Sequence, residues 1–186
     1  PLDHSFGLAF GNQYNLFGKT LGVIVSGSFR QTYSFLPNFQ TSNWTLLSLA
    51  DGVLQGIGDY TDNKTTQTPT VNGLVGLAYK FNPYNSISFN LIYNHLADKV
   101  SRSVEGERFP NILDPLFVSG RYLSFQEREL VNYQINGEHV FPGANNLKIE
   151  WKAALANSFQ YEPQTRFFEY TYNSRNDRYV VGSNDN

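Results

Sequence analysis

The three histidines are the side chains that a hydrolytic or metal-dependent mechanism would use first. They are His4, His95 and His139. No serine and aspartate are spaced to complete a Ser-His-Asp triad with them, and no G-x-S-x-G nucleophile motif occurs. The chain has no cysteine, so thiol catalysis and zinc-cysteine sites are excluded. We therefore expect no enzymatic activity and no cofactor.

Asp59, Asp62 and Asn63 form the acidic grouping closest to a cation site. A dedicated calcium loop places acidic or amide side chains at alternate positions before a glycine. That spacing is missing here. We interpret the stretch as a polar segment without a bound metal.

Lys148, Glu150 and Lys152 form an alternating charge ladder, so they share one face of a strand. The ladder either contacts a ligand or partner, or neutralises charge across neighbouring strands. A three-residue turn over 142–144 would set Glu138 opposite Lys148, whereas a five-residue turn would set it opposite Glu150. Because like charges directly opposite each other destabilise a sheet, we predict the three-residue turn.

The composition indicates strands with one apolar face. Charged residues make up 16% of the 186 residues and aromatic residues another 16%, against about 25% charged in a typical soluble domain. No run approaches the roughly 18 apolar residues of a membrane-spanning helix. The net charge of −2, with no Lys/Arg cluster, offers no basic surface for nucleic acid.

Five segments alternate between apolar and polar side chains with a period of two, which predicts strands with two different faces. They cover residues 21–30, 71–81, 87–94, 131–141 and 147–155. A further segment precedes Gly11 and a fragment covers residues 167–172. We therefore predict about seven strands.

The connections between these segments alternate in length. Short ones are expected at residues 11–19, 81–85 and 141–146, and long polar ones at 36–69, at 101–119 and from Tyr161 onward. Short turns that alternate with long loops are typical of a membrane β-barrel, whose turns are short on the periplasmic side and long outside.

A transmembrane barrel explains the segments better than a soluble β-sandwich does. The alternation persists for the roughly 9–11 residues of a tilted bilayer strand, and the apolar parity carries no ionisable residue for about ten residues from each short turn. The main alternative is a secreted sandwich that binds carbohydrate through aromatic residues such as Trp44 or Tyr60. A small closed barrel with an adhesion role and a membrane-embedded enzyme are further alternatives.

The barrel interpretation predicts which side chains face lipid, which face the lumen and which lie in extracellular loops. The residues expected to face lipid are Val23, Val25, Phe29, Leu77, Tyr79, Phe89, Leu91, Tyr133, Ile135, Ile149 and Trp151. The residues expected to face the lumen, where a plug or a ligand would contact them, are Asn90, Asn94, Asn132, Gln134, Asn136, Glu138, Lys148, Glu150 and Lys152. The residues expected in extracellular loops are Arg102, Arg108 and Arg121.

About seven strands do not close a bacterial barrel, which has an even number of strands and at least 8. An open edge in lipid would leave backbone groups unpaired. We expect residues 1–186 to be part of a single larger barrel domain, with further strands before and after them.

Three stretches carry a family resemblance. They are FGNQYNLFGKTLGVIVSGSF, LVGLAYKFNPYNSISFNLIYNHLADK and YLSFQERELVNYQINGEHVFPGANNLKIEWKAALANSFQYEPQTRFF. The last is the most specific, through Glu127, Arg128, Leu130, Gln134, Gly137, Glu138, His139, Lys148, Glu150, Trp151, Glu162, Pro163 and Arg166. The chain resembles the barrels of TonB-dependent receptors that carry a carboxypeptidase-regulatory-like domain ahead of their plug.

The resemblance implies a fold, a function and partners. It implies an antiparallel barrel of about 22 strands in the bacterial outer membrane, which imports a ligand that this sequence does not identify. The implied partners are membrane lipid, the remainder of the barrel and its plug, the TonB complex and a surface lipoprotein. We expect the plug and the TonB box elsewhere in the protein.

Overall fold

The computed structural model of the protein describes residues 1–48, 52–111, 114–173 and 177–181. These residues form seven strands and one short 3-10 helix, Pro142–Ala144. The strands are β1 (His4–Leu16), β2 (Lys19–Ser48), β3 (Val53–Asn82), β4 (Asn85–Asn111), β5 (Asp114–Phe141), β6 (Leu147–Asn173) and β7 (Arg178–Val181). In the described ranges, no helix has the length and apolar character needed to cross a membrane.

All seven strands belong to one antiparallel sheet, in which each strand pairs with its neighbours along the chain. The sheet is open, with β1 and β7 as its edge strands. The predicted all-β class and the predicted number of strands are confirmed. A sandwich needs two sheets packed face to face, and the described strands supply one.

The first turn is shorter than predicted. Phe17 and Gly18 connect β1 to β2 with positive φ angles of 52° and 72°, as a two-residue type I′ hairpin requires. Gly18 meets that requirement without the steric cost that a side chain adds. Residues 11–16, expected in the connection, are strand, with Gly11 paired to Ile24 and Leu16 paired to Lys19.

The second short turn confirms the prediction for residues 81–85. Asn82 Oδ1 accepts hydrogen bonds from the backbone N–H of Tyr84 at 2.8 Å and from Asn85 Nδ2 at 2.9 Å. An asparagine that bonds the backbone two residues onward replaces a backbone turn contact. Pro83 follows directly, where its fixed φ favours the turn.

The third short turn has five residues, so the predicted three-residue turn is wrong. β5 ends at Phe141 and β6 begins at Leu147. The helix Pro142–Ala144 is followed by Asn145 and Asn146, with φ angles of 56° and 58°. Asparagine tolerates this left-handed conformation better than most residues, and the pair lengthens the turn by two residues.

The predicted long loops are wrong, because the strands continue through them. β2 runs to Ser48 and β3 starts at Val53, while β4 runs to Asn111 and β5 starts at Asp114. Threonine-rich stretches such as residues 65–70 favour extended backbone. Backbone pairing with the next strand does not require alternating apolar side chains.

The seventh strand also differs from the prediction. Residues 167–172 continue β6, which runs to Asn173, and β7 is Arg178–Val181. Tyr172 pairs with Tyr179 and Asn173 with Arg178. Residues 167–172 are therefore strand, as predicted, but they belong to β6 and not to a separate seventh strand.

The chain divides into two compact units. Unit 1 comprises residues 1–32, 68–97 and 126–161, and unit 2 comprises residues 33–67, 98–125 and 162–186. Among the described residues, the apolar side chains that are buried are Ala97 in unit 1 and Val118 in unit 2. The described residues of neither unit are organised around a hydrophobic core.

Candidate functional site

Unit 1 has a polar face and an apolar face, because alternate residues of a strand lie on opposite sides of the sheet. On the polar face, Asn72 Nδ2 donates to Ser28 Oγ at 3.2 Å. On the same face, Asn136 Nδ2 donates to Ser88 Oγ at 3.3 Å. The polar parity predicted from the sequence therefore contacts itself across strands.

Two shallow hollows lie on the polar face. Asn90 lines one of ≈ 660 Å³ with Gly22, Gly76 and Ala78. Asn94 lines another of ≈ 450 Å³, whose wall includes Ser26 and Asn72. Small side chains leave this part of the polar face open, so Asn90 and Asn94, which are predicted to face a lumen, are accessible.

The other predicted lumen residues differ in their surroundings. Asn132 Oδ1 is buried and has no hydrogen-bond partner among the described residues. Gln134 is half-buried and Lys152 is exposed. The amides of the predicted lumen residues are therefore not equally accessible, and the Asn132 oxygen is shielded.

The charge ladder gathers around one lysine. Lys148 Nζ lies 2.5 Å from Glu150 Oε1 and 3.3 Å from Glu138 Oε1. The three side chains are about half exposed, at 49%, 51% and 50%. The predicted attraction between Glu138 and Lys148 is present, although the five-residue turn accompanies it. Lys148 separates the two carboxylates and neutralises their repulsion.

The apolar face carries the residues expected to face lipid, and it is uncovered. Val25, Leu77, Tyr133, Ile135, Ile149 and Trp151 are exposed. Val23, Phe29, Tyr79, Phe89 and Leu91 are half-buried by neighbours in the same sheet. A large apolar side chain left in water forfeits roughly 1.5–3 kcal/mol, so this face needs an apolar surrounding.

A polar cluster interrupts the apolar face close to the short turns. Trp151 Nε1 donates to His139 Nε2 at 3.2 Å, and His139 Nδ1 lies 2.8 Å from Asn85 Oδ1. Since Nε2 accepts, Nδ1 carries the proton and donates to Asn85. A side chain at Gly137 would collide with the Trp151 ring. The sequence gives no signal for these partners, which lie 12 and 54 residues from His139.

Unit 2 contains a buried ion pair that the sequence did not reveal. Asp62 is fully buried, at 0% exposure, and its Oδ2 binds the Arg102 guanidinium. Arg102 also lies 5.7 Å from the centre of the Phe39 ring. Arg102 was expected in a loop, but it lies in β4, where it neutralises a desolvated carboxylate.

Arg108 and Arg121 were likewise expected in loops and lie in β4 and β5. Arg108 binds Glu169 Oε1 at 2.8 Å. Hydrogen bonds with Tyr60 and with Glu169 raise the pKa of Arg108, against the desolvation that lowers it. Arg121 is exposed and lines a shallow hollow with Ser119, Tyr170 and Tyr179. Cross-strand partners hold Arg102 and Arg108 in the sheet.

Neither chemistry nor comparison identifies a catalytic centre. Within the described part of the chain, no three His, Cys, Asp or Glu side chains are grouped so as to hold a metal ion. Asp62 binds Arg102 and Asn63 Oδ1 accepts from the Asn38 backbone N–H at 3.0 Å, so that stretch makes internal contacts. No protein-family model matches the chain, and no curated protein matches it.

Proposed function

We propose that the chain is part of the wall of an outer-membrane β-barrel of the TonB-dependent receptor class. In this role the apolar face of unit 1 contacts lipid and its polar face lines a water-filled lumen. The observation that carries the proposal is the uncovered apolar face, which includes Leu77, Ile135 and Trp151.

The strand segments of unit 1 support a bilayer crossing by their length. The segments 19–32, 68–82, 85–97, 126–141 and 147–161 each exceed the roughly 9–11 residues that a tilted strand needs to span the hydrocarbon. The cluster of His139, Trp151 and Asn85 fits the headgroup boundary, where amphipathic rings are enriched. We assign the segments of unit 2 to the extracellular side.

The receptor assignment rests on the sequence resemblance and on the polar face. A plug in the lumen would need hydrogen-bond donors and acceptors from the wall. Asn90 and Asn94 line the hollows of the polar face and supply accessible amides there. Import powered by TonB, with a surface lipoprotein as a further partner, completes the proposal.

Single-cysteine labelling tests the membrane assignment, because the chain has no native cysteine. Cysteine is introduced by Leu91→Cys and Ile135→Cys on the apolar face. The matched controls are the adjacent Asn90→Cys and Gln134→Cys on the polar face. Each spin-labelled full-length protein is reconstituted in lipid vesicles and its collisions with oxygen and with a water-soluble nickel chelate are measured.

We expect oxygen to relax the labels at 91 and 135 more strongly, and the nickel chelate to relax those at 90 and 134. Equal exposure of all four labels to the chelate would contradict a membrane wall.

Coupling to TonB is tested separately, by retention of the full-length protein on immobilised TonB carboxyl-terminal domain. Absence of retention would leave a barrel wall without the receptor role.

A further inference from the structure

We propose that a shallow basic pocket on unit 2 binds the anionic headgroup of a membrane lipid. The pocket has a volume of ≈ 340 Å³ and draws its lining from four strands. Gln67 comes from β3, Lys99 and Ser101 from β4, Leu123 and Phe125 from β5, and Arg166 from β6. None of these residues serves the lumen face described above.

The charge of the pocket selects an anion. Lys99 and Arg166 line it, and no acidic side chain does. In the described residues, no carboxylate oxygen lies within 4.0 Å of either cation, unlike the paired Arg102 and Arg108. One Arg166 nitrogen donates to Gln164 Oε1 at 2.9 Å. The remaining guanidinium donors and the three ammonium donors of Lys99 are available to phosphate oxygens.

The apolar part of the pocket selects an amphiphile over a free anion. Leu123 is exposed beside the cations, and Lys99 Nζ lies 5.8 Å from the centre of the Phe125 ring. An inorganic anion gains nothing from these side chains. A lipid headgroup places its phosphate on the cations and its glycerol and first acyl carbons against Leu123 and Phe125.

The position along β4 fits the headgroup layer. Lys99 and Ser101 have the odd parity of Phe89 and Leu91, the residues expected to face lipid on the same strand. This step rests on the proposed membrane wall. A strand rises by about 3.3 Å per residue along its own axis, so Lys99, eight residues beyond Leu91 on β4, lies past the hydrocarbon and in the headgroup layer.

Calorimetric titration of the full-length protein in a non-ionic detergent tests the pocket. The probes are dihexanoyl phosphatidic acid, zwitterionic dihexanoyl phosphatidylcholine and inorganic phosphate. The variant Lys99→Gln/Arg166→Gln removes both cations. The matched control Lys64→Gln/Arg178→Gln removes the same charge from unit 2 outside the pocket.

We expect phosphatidic acid to bind and the pocket variant to weaken it on the order of tenfold, since each surface cation contributes measurably to anionic-lipid binding. The control variant retains the original affinity. Equal affinity for phosphatidylcholine, or an unchanged affinity in the pocket variant, overturns the proposal. Inorganic phosphate that binds as tightly as phosphatidic acid overturns the lipid assignment.

The outcome of this titration does not depend on whether unit 1 forms a membrane wall. The titration measures the pocket in detergent, and the spin-label experiment measures the apolar face of unit 1 in vesicles. If phosphatidic acid does not bind but the spin labels alternate in exposure, the lipid pocket is disproved and the membrane wall stands. If phosphatidic acid binds but all four spin labels are equally exposed to the chelate, the membrane wall is disproved and the anion-binding pocket stands.

Discussion

Units 1 and 2 use ionic side chains in opposite ways. In unit 1, Lys148 and its two glutamates are about half exposed and lie together on the polar face. In unit 2, Asp62 is fully buried and depends on Arg102 for its neutralisation. A half-exposed pair is worth little to stability, whereas a buried carboxylate is costly once its partner is removed. Removal of Arg102 should therefore destabilise unit 2 more than removal of Lys148 destabilises unit 1.

Proline placement shows the same contrast. The strand segments of unit 2 contain Pro37, Pro110, Pro115 and Pro163, and those of unit 1 contain Pro69. Each proline removes one N–H donor from the ladder between strands. Water satisfies the carbonyl left behind, whereas hydrocarbon does not. The segments that we assign to lipid are those with fewer interruptions.

The largest expected effect is on the buried ion pair. Arg102→Met leaves the Asp62 carboxylate buried without a cation, which costs on the order of 3 kcal/mol after allowance for the partial exposure of Arg102. Hydrogen exchange of the β3 and β4 amides around these residues should accelerate. Arg121→Met, which removes an exposed arginine of the same unit, is the control. Equal protection in both variants would show that the pair does not stabilise unit 2.

The next effect distinguishes the two faces of unit 1. Ile135→Arg places a cation on the apolar face, and we expect a loss of about 2–4 kcal/mol in the free energy of folding into vesicles. Gln134→Arg places the same charge one residue away on the polar face and should change little. Urea titrations of both variants measure the difference. Similar losses would indicate that the two faces meet similar solvents.

A smaller effect is expected at Trp151, where two contributions can be separated. Trp151→Phe keeps a ring over Gly137 but removes the donor to His139, at a cost of about 1 kcal/mol. Trp151→Ala removes the ring as well, which adds up to about 1 kcal/mol for the lost cross-strand contact. The same urea titration measures both. A phenylalanine variant as stable as the original would show that the hydrogen bond to His139 contributes nothing.

The smallest effect is expected at the exposed charge cluster. Lys148→Gln leaves Glu138 and Glu150 close together, so the variant should lose a little stability at low salt. At about 1 M salt, where screening acts over roughly 3 Å, the variant and the original protein should unfold at the same urea concentration. A loss that persists at high salt would place this cluster with the buried pairs of unit 2.

The sequence predicts the features that depend on local pattern. Period-two alternation located β2 to β6 of unit 1 and the polar parity that joins Asn72 to Ser28 and Asn136 to Ser88. The turn at Asn82 is also predicted from the sequence, because asparagine followed by proline strongly favours a turn. These signals lie within a few residues of one another.

The features that the sequence does not predict depend on distant partners or on the backbone alone. Arg102 and Asp62 are 40 residues apart, and Arg108 and Glu169 are 61 apart. No local pattern announces either pair. The strand segments of unit 2 lack apolar alternation, so the sequence predicts loops there, although hydrogen bonds between strands form without that alternation. The five-residue turn contains two asparagines in the left-handed conformation. The prediction of a three-residue turn considered only the pairing of charges and not this conformation.

The chain-order pairing of the strands has a consequence for how the molecule is made. Three hairpins can form from their turns outward, since each closed turn brings the next pair of strand residues within hydrogen-bonding distance. Their turns are residues 17–18, 83–84 and 142–146. The entropy of closing a long segment is then lost only when one hairpin docks beside another. We expect assembly to proceed by lateral addition of preformed hairpins, which leaves β1 and β7 at the edges of the sheet.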